Sequence, residues 1–324
     1  MKEIKINFVD FWPNFDKKNN YFYNLLIQKY KVIIDENPEL LFYSSFGKRF
    51  LNYNCKRIFY TGENSRPDFL ACDFAFSFDY NLRKNHFRLP LYSIYIDYHD
   101  MLQQLERIIS KEEATKIWKS KTKFCCMIVS NPNCENRIKF FENLSKVKHV
   151  DSGGGVLNNI GGRVVDKLAF IKEYKFVISF ENSNQDGYTT EKIMEPILQD
   201  CIPIYWGNKL IARDFNSKRF IDYNEFKSEK DLINRILEID DNDELAIEMI
   251  LQSTFNESKI SHSVEHKQVL KRISKIIEST NKPIALSGFR FLYFIQLFCR
   301  NSRKKFLKFI ELWKVIRLSH KQKF

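Results

Sequence analysis

The sequence predicts an α/β protein of two halves facing a cleft, with a basic tail appended. Three observations point there. Strand-like apolar runs alternate with helix-like stretches along most of the chain. A length of 324 residues exceeds one minimal domain and makes two packed domains the natural expectation. Polar residues also cluster where a strand-like run hands over to a helix, the edge of an open parallel sheet at which phosphate-bearing ligands sit.

Residues 4–9 read as a first strand, 21–30 as a helix and 31–34 as a strand again. Short β-branched and aromatic runs at 40–43, 56–61 and 74–78 continue the alternation. Residues 97–118 are polar with helical spacing and are expected to bridge the halves. A strand over 123–130 opens the second half. A helix at 137–144, a strand at 147–151, a glycine-rich loop (Gly153-Gly154-Gly155, then Gly161-Gly162) and a helix at 166–173 follow. The run 176–180 is the next strand, and turn-rich residues 182–187 lead to a helix opening near Thr189-Thr190. Residues 201–206 form a further strand that stops at Gly207. Helices are expected over 229–237, 243–252 and 263–279. The expected division is 1–120, 121–280 and a tail over 281–324.

Composition narrows the class. At 44% hydrophobic the chain can bury a sizeable core, and 28% charged residues suit a soluble protein. The net charge of +12 is uneven: residues 289–324 carry ten Lys/Arg against one Glu. The body is therefore near neutral, and a nucleic-acid footprint over the whole protein is not expected. The 30 Phe are read chiefly as core. Seven cysteines include an adjacent pair, Cys125-Cys126, but no Cys-x-x-Cys or metal spacing. An odd count and an N-terminus without an uninterrupted apolar run suggest reduced thiols and a cytoplasmic location. No stretch is long and apolar enough to span a bilayer.

Two blocks carry the chemistry. The first is Arg57-Ile-Phe-Tyr-Thr61-Gly62-Glu63-Asn64-Ser-Arg-Pro-Asp-Phe69, in which Glu63 sits on a turn just beyond a strand. A carboxylate there faces a cleft more often than a core, so Glu63 is a general-base candidate, although most exposed glutamates do nothing catalytic. The second is Phe180-Glu181-Asn182, then Tyr188-Thr-Thr-Glu191-Lys192, then Ile202-Pro-Ile-Tyr-Trp-Gly207. Lys192 in a helix's first turn opposes the helix dipole, which argues mildly for an anionic ligand beside it. Glu191 suits that dipole, and its bland reading is helix stabilisation. Arg137, by itself, reads as a surface helix residue, and the glycine run 153–155 as a flexible turn or a place where backbone N–H groups approach a phosphate.

Together these blocks resemble glycosyltransferase family 10, the α1,3/4-fucosyltransferases, over roughly residues 58–221. The resemblance implies the GT-B fold: a Rossmann-like acceptor domain (1–120) and a Rossmann-like GDP-fucose domain (121–280) facing a central cleft. It implies Glu63 as catalytic base, with Arg137, Asn182, Tyr188, Glu191, Lys192 and Gly154 lining the donor pocket. Glu181 is left either in that pocket or capping and orienting its loop. The implied reaction is inverting transfer of fucose from GDP-fucose to a GlcNAc (or Glc) hydroxyl of an N-acetyllactosamine-type glycan. Its expected setting is lipopolysaccharide, O-antigen or Lewis-type surface glycans. A base must take the acceptor proton, and fixed cations must meet the charge growing on the leaving diphosphate. With no Asp-x-Asp at a strand end, no metal is expected to be required; a divalent ion would be at most stimulatory. Another GT-B nucleotide-sugar transferase, an α1,4 linkage or a non-catalytic membrane-surface binder are the alternatives.

In the tail, Phe306, Phe309, Ile310, Trp313 and Ile316 fall on one helical stripe, interrupted near its end by Arg317. That pattern suits a helix lying on the anionic inner face of the cytoplasmic membrane, or one docked on the domain with a solvated basic face.

Overall fold

A computed structural model describes residues 1–80, 83–256, 266–287, 293, 295–299 and 302. The first half carries strands β1 (Lys2–Val9), β2 (Tyr30–Ile34), β3 (Leu40–Tyr43), β4 (Lys56–Tyr60), β5 (Phe74–Ser77) and β6 (His86–Arg88). They form one parallel sheet in the order β2-β1-β3-β4-β5-β6. The second half carries β7 (Lys123–Met127), β8 (Val150–Ser152), β9 (Tyr174–Phe180), β10 (Ile202–Trp206) and β11 (Ile221–Asp222), parallel in the order β11-β10-β9-β7-β8. Parallel sheets are covered on both faces, which explains why β3, β5 and β10 are buried along their whole length.

The helices are α1 (Tyr21–Leu26), α2 (Leu91–Tyr98), α3 (Leu102–Leu105), α4 (Lys111–Ser120), α5 (Glu135–Ser145), α6 (Lys167–Ile171), α7 (Glu191–Leu198), α8 (Glu229–Asp241), α9 (Asp243–Ile250) and α10 (His266–Glu278). Side-chain caps start half of them: Asn20 accepts from the Tyr23 N–H, Ser110 from Glu113, Asp166 from Ala169, Ser228 from Asp231 and Asn242 from Glu244.

Three expectations shift. The helix expected over 21–30 stops at Leu26, because Tyr30 already pairs with Lys2 in the sheet. The bridging segment 97–118 is not one helix. It breaks near Asp100, whose φ of 51° ends α2, and again before the Ser110 cap of α4. Its Leu105 does bridge, sharing a core with Ile193, Ile197 and Phe215 of the second half, as do Tyr92 and Ile96 of α2 just ahead of the segment. Helix α10, expected within 121–280, lays Val269 and Ile273 into the core under the first sheet with Phe22 and Phe42. Its amphipathic stripe covers apolar surface that α1, six residues long, is too short to shield.

The seven cysteines form no disulfide. No helix among the described residues is long and apolar enough to cross a membrane. The tail stripe from Phe306 to Ile316 lies outside the described residues.

Candidate functional site

All strands of each sheet run the same way, so the loops following them gather along one edge per sheet. The first sheet supplies Glu63. After β4 the Thr61 hydroxyl accepts from the Glu63 N–H at 3.1 Å and meets Ser45 Oγ at 3.0 Å. This side-chain-closed turn holds the exposed Glu63 just past the strand end. Three residues on, Arg66 pairs with Asp79 at 2.7 Å and reaches Gln185 of the second half at 3.3 Å.

The second sheet supplies the groups around the end of β9. Glu181 is fully buried and accepts from both the N–H and the hydroxyl of Thr190, each at 2.7 Å. Thr190 makes no side-chain cap of its own, so this carboxylate anchors the start of α7 from the neighbouring strand. Of the two roles left open for Glu181, capping is the geometry observed. Burial pushes its pKa up, against the pull of Lys192 and the Thr190 bonds. Room for its side chain comes from Gly207: at φ 157° a Cβ there would lie 2.6 Å from Glu181 Cγ.

Lys192 Nζ lies 3.1 Å from Thr190 Oγ1, 3.2 Å from Glu191 Oε1 and 3.7 Å from Glu181 Oε2. Burial works to lower its pKa, but the two carboxylates outweigh it and the ammonium titrates above its ordinary range. For Glu191, burial works upward, and the charges of Lys192 and Lys167 overcome it to hold the carboxyl below its usual value.

Arg137 is 1% exposed, a core residue and not the surface one its helix position suggests. Its Nη1 donates to Phe180 O at 2.9 Å and Asn182 Oδ1 at 3.2 Å, and its Nη2 to Asn131 O at 2.9 Å. The buried Nε–H has no partner. An orphaned guanidinium N–H beside a strand end is costly unless a ligand meets it. Burial pulls its pKa down from the ordinary arginine value, opposed by Glu181 among others.

Tyr188 is buried, edge-on to Phe78 of the first half with ring centroids 5.3 Å apart. Its hydroxyl pKa is raised first by burial and then by the charges of Glu181, Glu63 and Glu191. Phe78 on Tyr188 and Arg66 on Gln185 bring the first half, including the turn that bears Glu63, up to this group. Gly154 stands on the β7 side, where a Cβ would fall 2.0 Å from Val129 O; the glycine is required for that close backbone approach. The structure thus draws Arg137, Asn182, Tyr188, Glu191 and Lys192 around the β9 end, sets Glu63 opposite, and gives Gly154 a packing role on the flank.

Several organising residues were not legible in the sequence. Arg88 at the end of β6 forms a buried ion pair with Asp214 (2.7 and 2.9 Å) that joins the halves, and donates to Phe78 O at 3.0 Å. Asn208, fully buried, accepts from the Gly187 N–H at 2.7 Å and donates to Thr189 at 3.1 Å, fixing the loop before α7. Its place directly after Gly207 was the only available signal. Among the described residues, no group of three or more His, Cys, Asp or Glu side chains is arranged to hold a metal ion.

Comparison with known proteins gives a consistent answer. The family model described as "Alpha-(1,3)-fucosyltransferase FucT N-terminal domain" matches residues 6–95, and "Glycosyltransferase family 10 (fucosyltransferase) C-term" matches residues 118–276. The Helicobacter pylori alpha-(1,3)-fucosyltransferase FucT is 29% identical over 318 residues, covering 85% of this chain and 66% of that protein. The mouse 4-galactosyl-N-acetylglucosaminide 3-alpha-L-fucosyltransferase 9 is 33% identical over 131 residues, covering 39% of this chain and 36% of that protein. The crystal structure of an alpha1,3-fucosyltransferase with GDP-fucose superimposes with a TM-score of 0.74 at 27% identity, covering 86% of this chain and 92% of that one. The chain spans about two thirds of the length of the H. pylori relative.

Proposed function

The chain belongs to glycosyltransferase family 10, the fucosyltransferases, and from that premise we propose that it moves fucose from GDP-fucose to an acceptor glycan. The finer reading is inverting α1,3 transfer to a GlcNAc (or Glc) hydroxyl of an N-acetyllactosamine-type acceptor. The observation that supports base-assisted fucosyl transfer is that the turn carrying Glu63, three residues before the Arg66–Gln185 contact, meets the half in which Arg137, Tyr188 and Lys192 gather.

In this reading the acceptor hydroxyl gives its proton to Glu63 as its oxygen bonds to the fucosyl carbon. The bond from that carbon to the diphosphate breaks, and GDP leaves with the electron pair. Lys192 and the unpaired Arg137 Nε–H meet the charge that develops on the diphosphate. Tyr188, Asn182 and Glu191 line the donor side. The setting we propose is synthesis of lipopolysaccharide or related surface glycans in the bacterial cytoplasm, with the basic tail holding the enzyme to the membrane's inner face.

The deciding experiment is transfer from GDP-fucose to N-acetyllactosamine with EDTA present. Fucosylated product is expected; a chain that binds no GDP-fucose at all would sink the reading. A second expected result concerns the diphosphate. Lys192→Ala should cost about 1.5–3 kcal/mol, or roughly 10- to 100-fold, in GDP affinity. Guanosine affinity, measured by the same calorimetry, should stay unchanged. Equal losses for GDP and guanosine would remove Lys192 from the diphosphate.

A further inference from the structure

A basic concavity opens where β4 and β5 begin, at the edge of the first sheet away from Glu63. It has a volume of about 310 Å³. Its walls are those two strand starts, the turn before β6 and the last turns of α10. Four cations line it, Lys56, Lys84, Arg272 and Lys275, against one carboxylate, Asp73.

That carboxylate does not answer the cations. Asp73 Oδ2 accepts from the Arg57 N–H at 2.7 Å, and its Oδ1 from the Ile284 N–H at 2.8 Å. Both oxygens are therefore engaged by backbone. One cation is engaged as well. Lys56 Nζ donates to Ile276 O at 2.7 Å and to Ser279 O, covering carbonyls at the end of α10 that would otherwise repel an anion. Lys84, Arg272 and Lys275 pair with no carboxylate among the described residues. The Arg272 guanidinium sits 5.5 Å from the Phe87 ring centroid, a contact that holds it at the cavity wall.

A cation in the last turn of a helix suits the helix dipole, and that accounts for Lys275. It does not account for Lys84, which reaches the same cavity from the turn before β6. Positive groups from two elements that converge on one concavity repel each other unless an anion joins them. A guanidinium takes two phosphate oxygens at once, and ammonium groups beside it add point charge. The volume is that of a small-molecule site, so such a phosphate can carry an organic group.

We propose that this cavity binds a phosphate ester, gripped by Arg272 between Lys84 and Lys275. The chemistry is shared by the head group of an anionic phospholipid and by a free glycerol phosphate. The course of the chain favours the lipid. Asn281 is part of the lining, and from there the chain runs on to residues 289–324, with ten Lys/Arg against one Glu. The site belongs to the folded body and lies outside the cleft, so it goes beyond the transfer reaction and does not depend on it.

The test uses the full chain with saturating GDP, so that cations in the cleft are occupied. One arm titrates glycerol 3-phosphate by calorimetry. The other measures binding to vesicles of phosphatidylglycerol in phosphatidylcholine, against phosphatidylcholine alone. Binding in the vesicle arm alone would identify the lipid as the source, and binding of glycerol 3-phosphate a soluble ester. In whichever arm binds, the double variant Lys84→Gln with Lys275→Gln should lose about tenfold, and so should Arg272→Gln. Both lysines are exposed, so the double variant is expected to fold. A control that removes two exposed lysines of the second half, Lys146→Gln with Lys230→Gln, should stay within about twofold of wild type. Binding in neither arm, no loss in either cavity variant, or an equal loss in the control overturns the site.

Discussion

Glu63→Gln is expected to lower transfer by about 100- to 10,000-fold, the usual contribution of a positioned general base, while GDP affinity stays near wild type. The substitution is nearly isosteric. The turn that positions residue 63 is closed by the Thr61 hydroxyl on the backbone N–H, so it survives the change. The side chain is exposed, and stability should move by no more than about 0.5 kcal/mol. A collapse of turnover with unchanged GDP binding would place the defect on the proton, not on the fold or the donor. Near-normal transfer by the glutamine variant would remove Glu63 from the reaction.

Asp214→Ala is expected to destabilise the protein by about 3–5 kcal/mol, because it strands the Arg88 charge in a buried site. The side chains of Arg88 and Asp214 are 9% and 2% exposed and bond through two guanidinium nitrogens. Burial works against the guanidinium, but the Asp214 charge holds its pKa above the ordinary value. The pair also spans the two halves, with Tyr80 donating to Asp214 at 3.2 Å and Arg88 reaching Gly187 O at 3.4 Å. Replacing both partners together, Arg88→Met with Asp214→Leu, should recover much of the loss, since no uncompensated charge is left. Denaturant unfolding of the two variants reads both numbers. A loss below about 1 kcal/mol in Asp214→Ala would show that the pair is solvated in a way its burial denies.

The strands were largely legible in the sequence because each is a compact apolar run bounded by turn residues. Runs such as 40–43 and 176–180 announce themselves by composition and were found nearly residue for residue. The exceptions are physical. Strand β6 is three residues long and contains His86 and Arg88, so nothing in its composition distinguishes it from a loop. Strand β11 is shorter still. The helix pattern of 97–118 was real, but a residue forced into the left-handed region cuts it, and backbone geometry of that kind has no periodic signature.

The residues gathered past the end of β9 were legible as a block because they lie within a dozen positions, from Glu181 to Lys192. Arg137 was placed by resemblance alone. Its burial depends on Phe180, Asn182 and Asn131 closing round it, contacts up to 45 residues away in sequence. The Arg88–Asp214 pair spans 126 residues, a separation at which a single sequence carries no pairing information.

The common direction of the strands has a practical side. Every strand of the first sheet begins at the edge opposite the one that bears Glu63, and β1 begins at Lys2. Met1 is 86% exposed there. A polypeptide or a solid support joined ahead of β1 would hang from the back of the molecule. Tethering through that point leaves the edge that bears Glu63 turned toward solution and clear of the support.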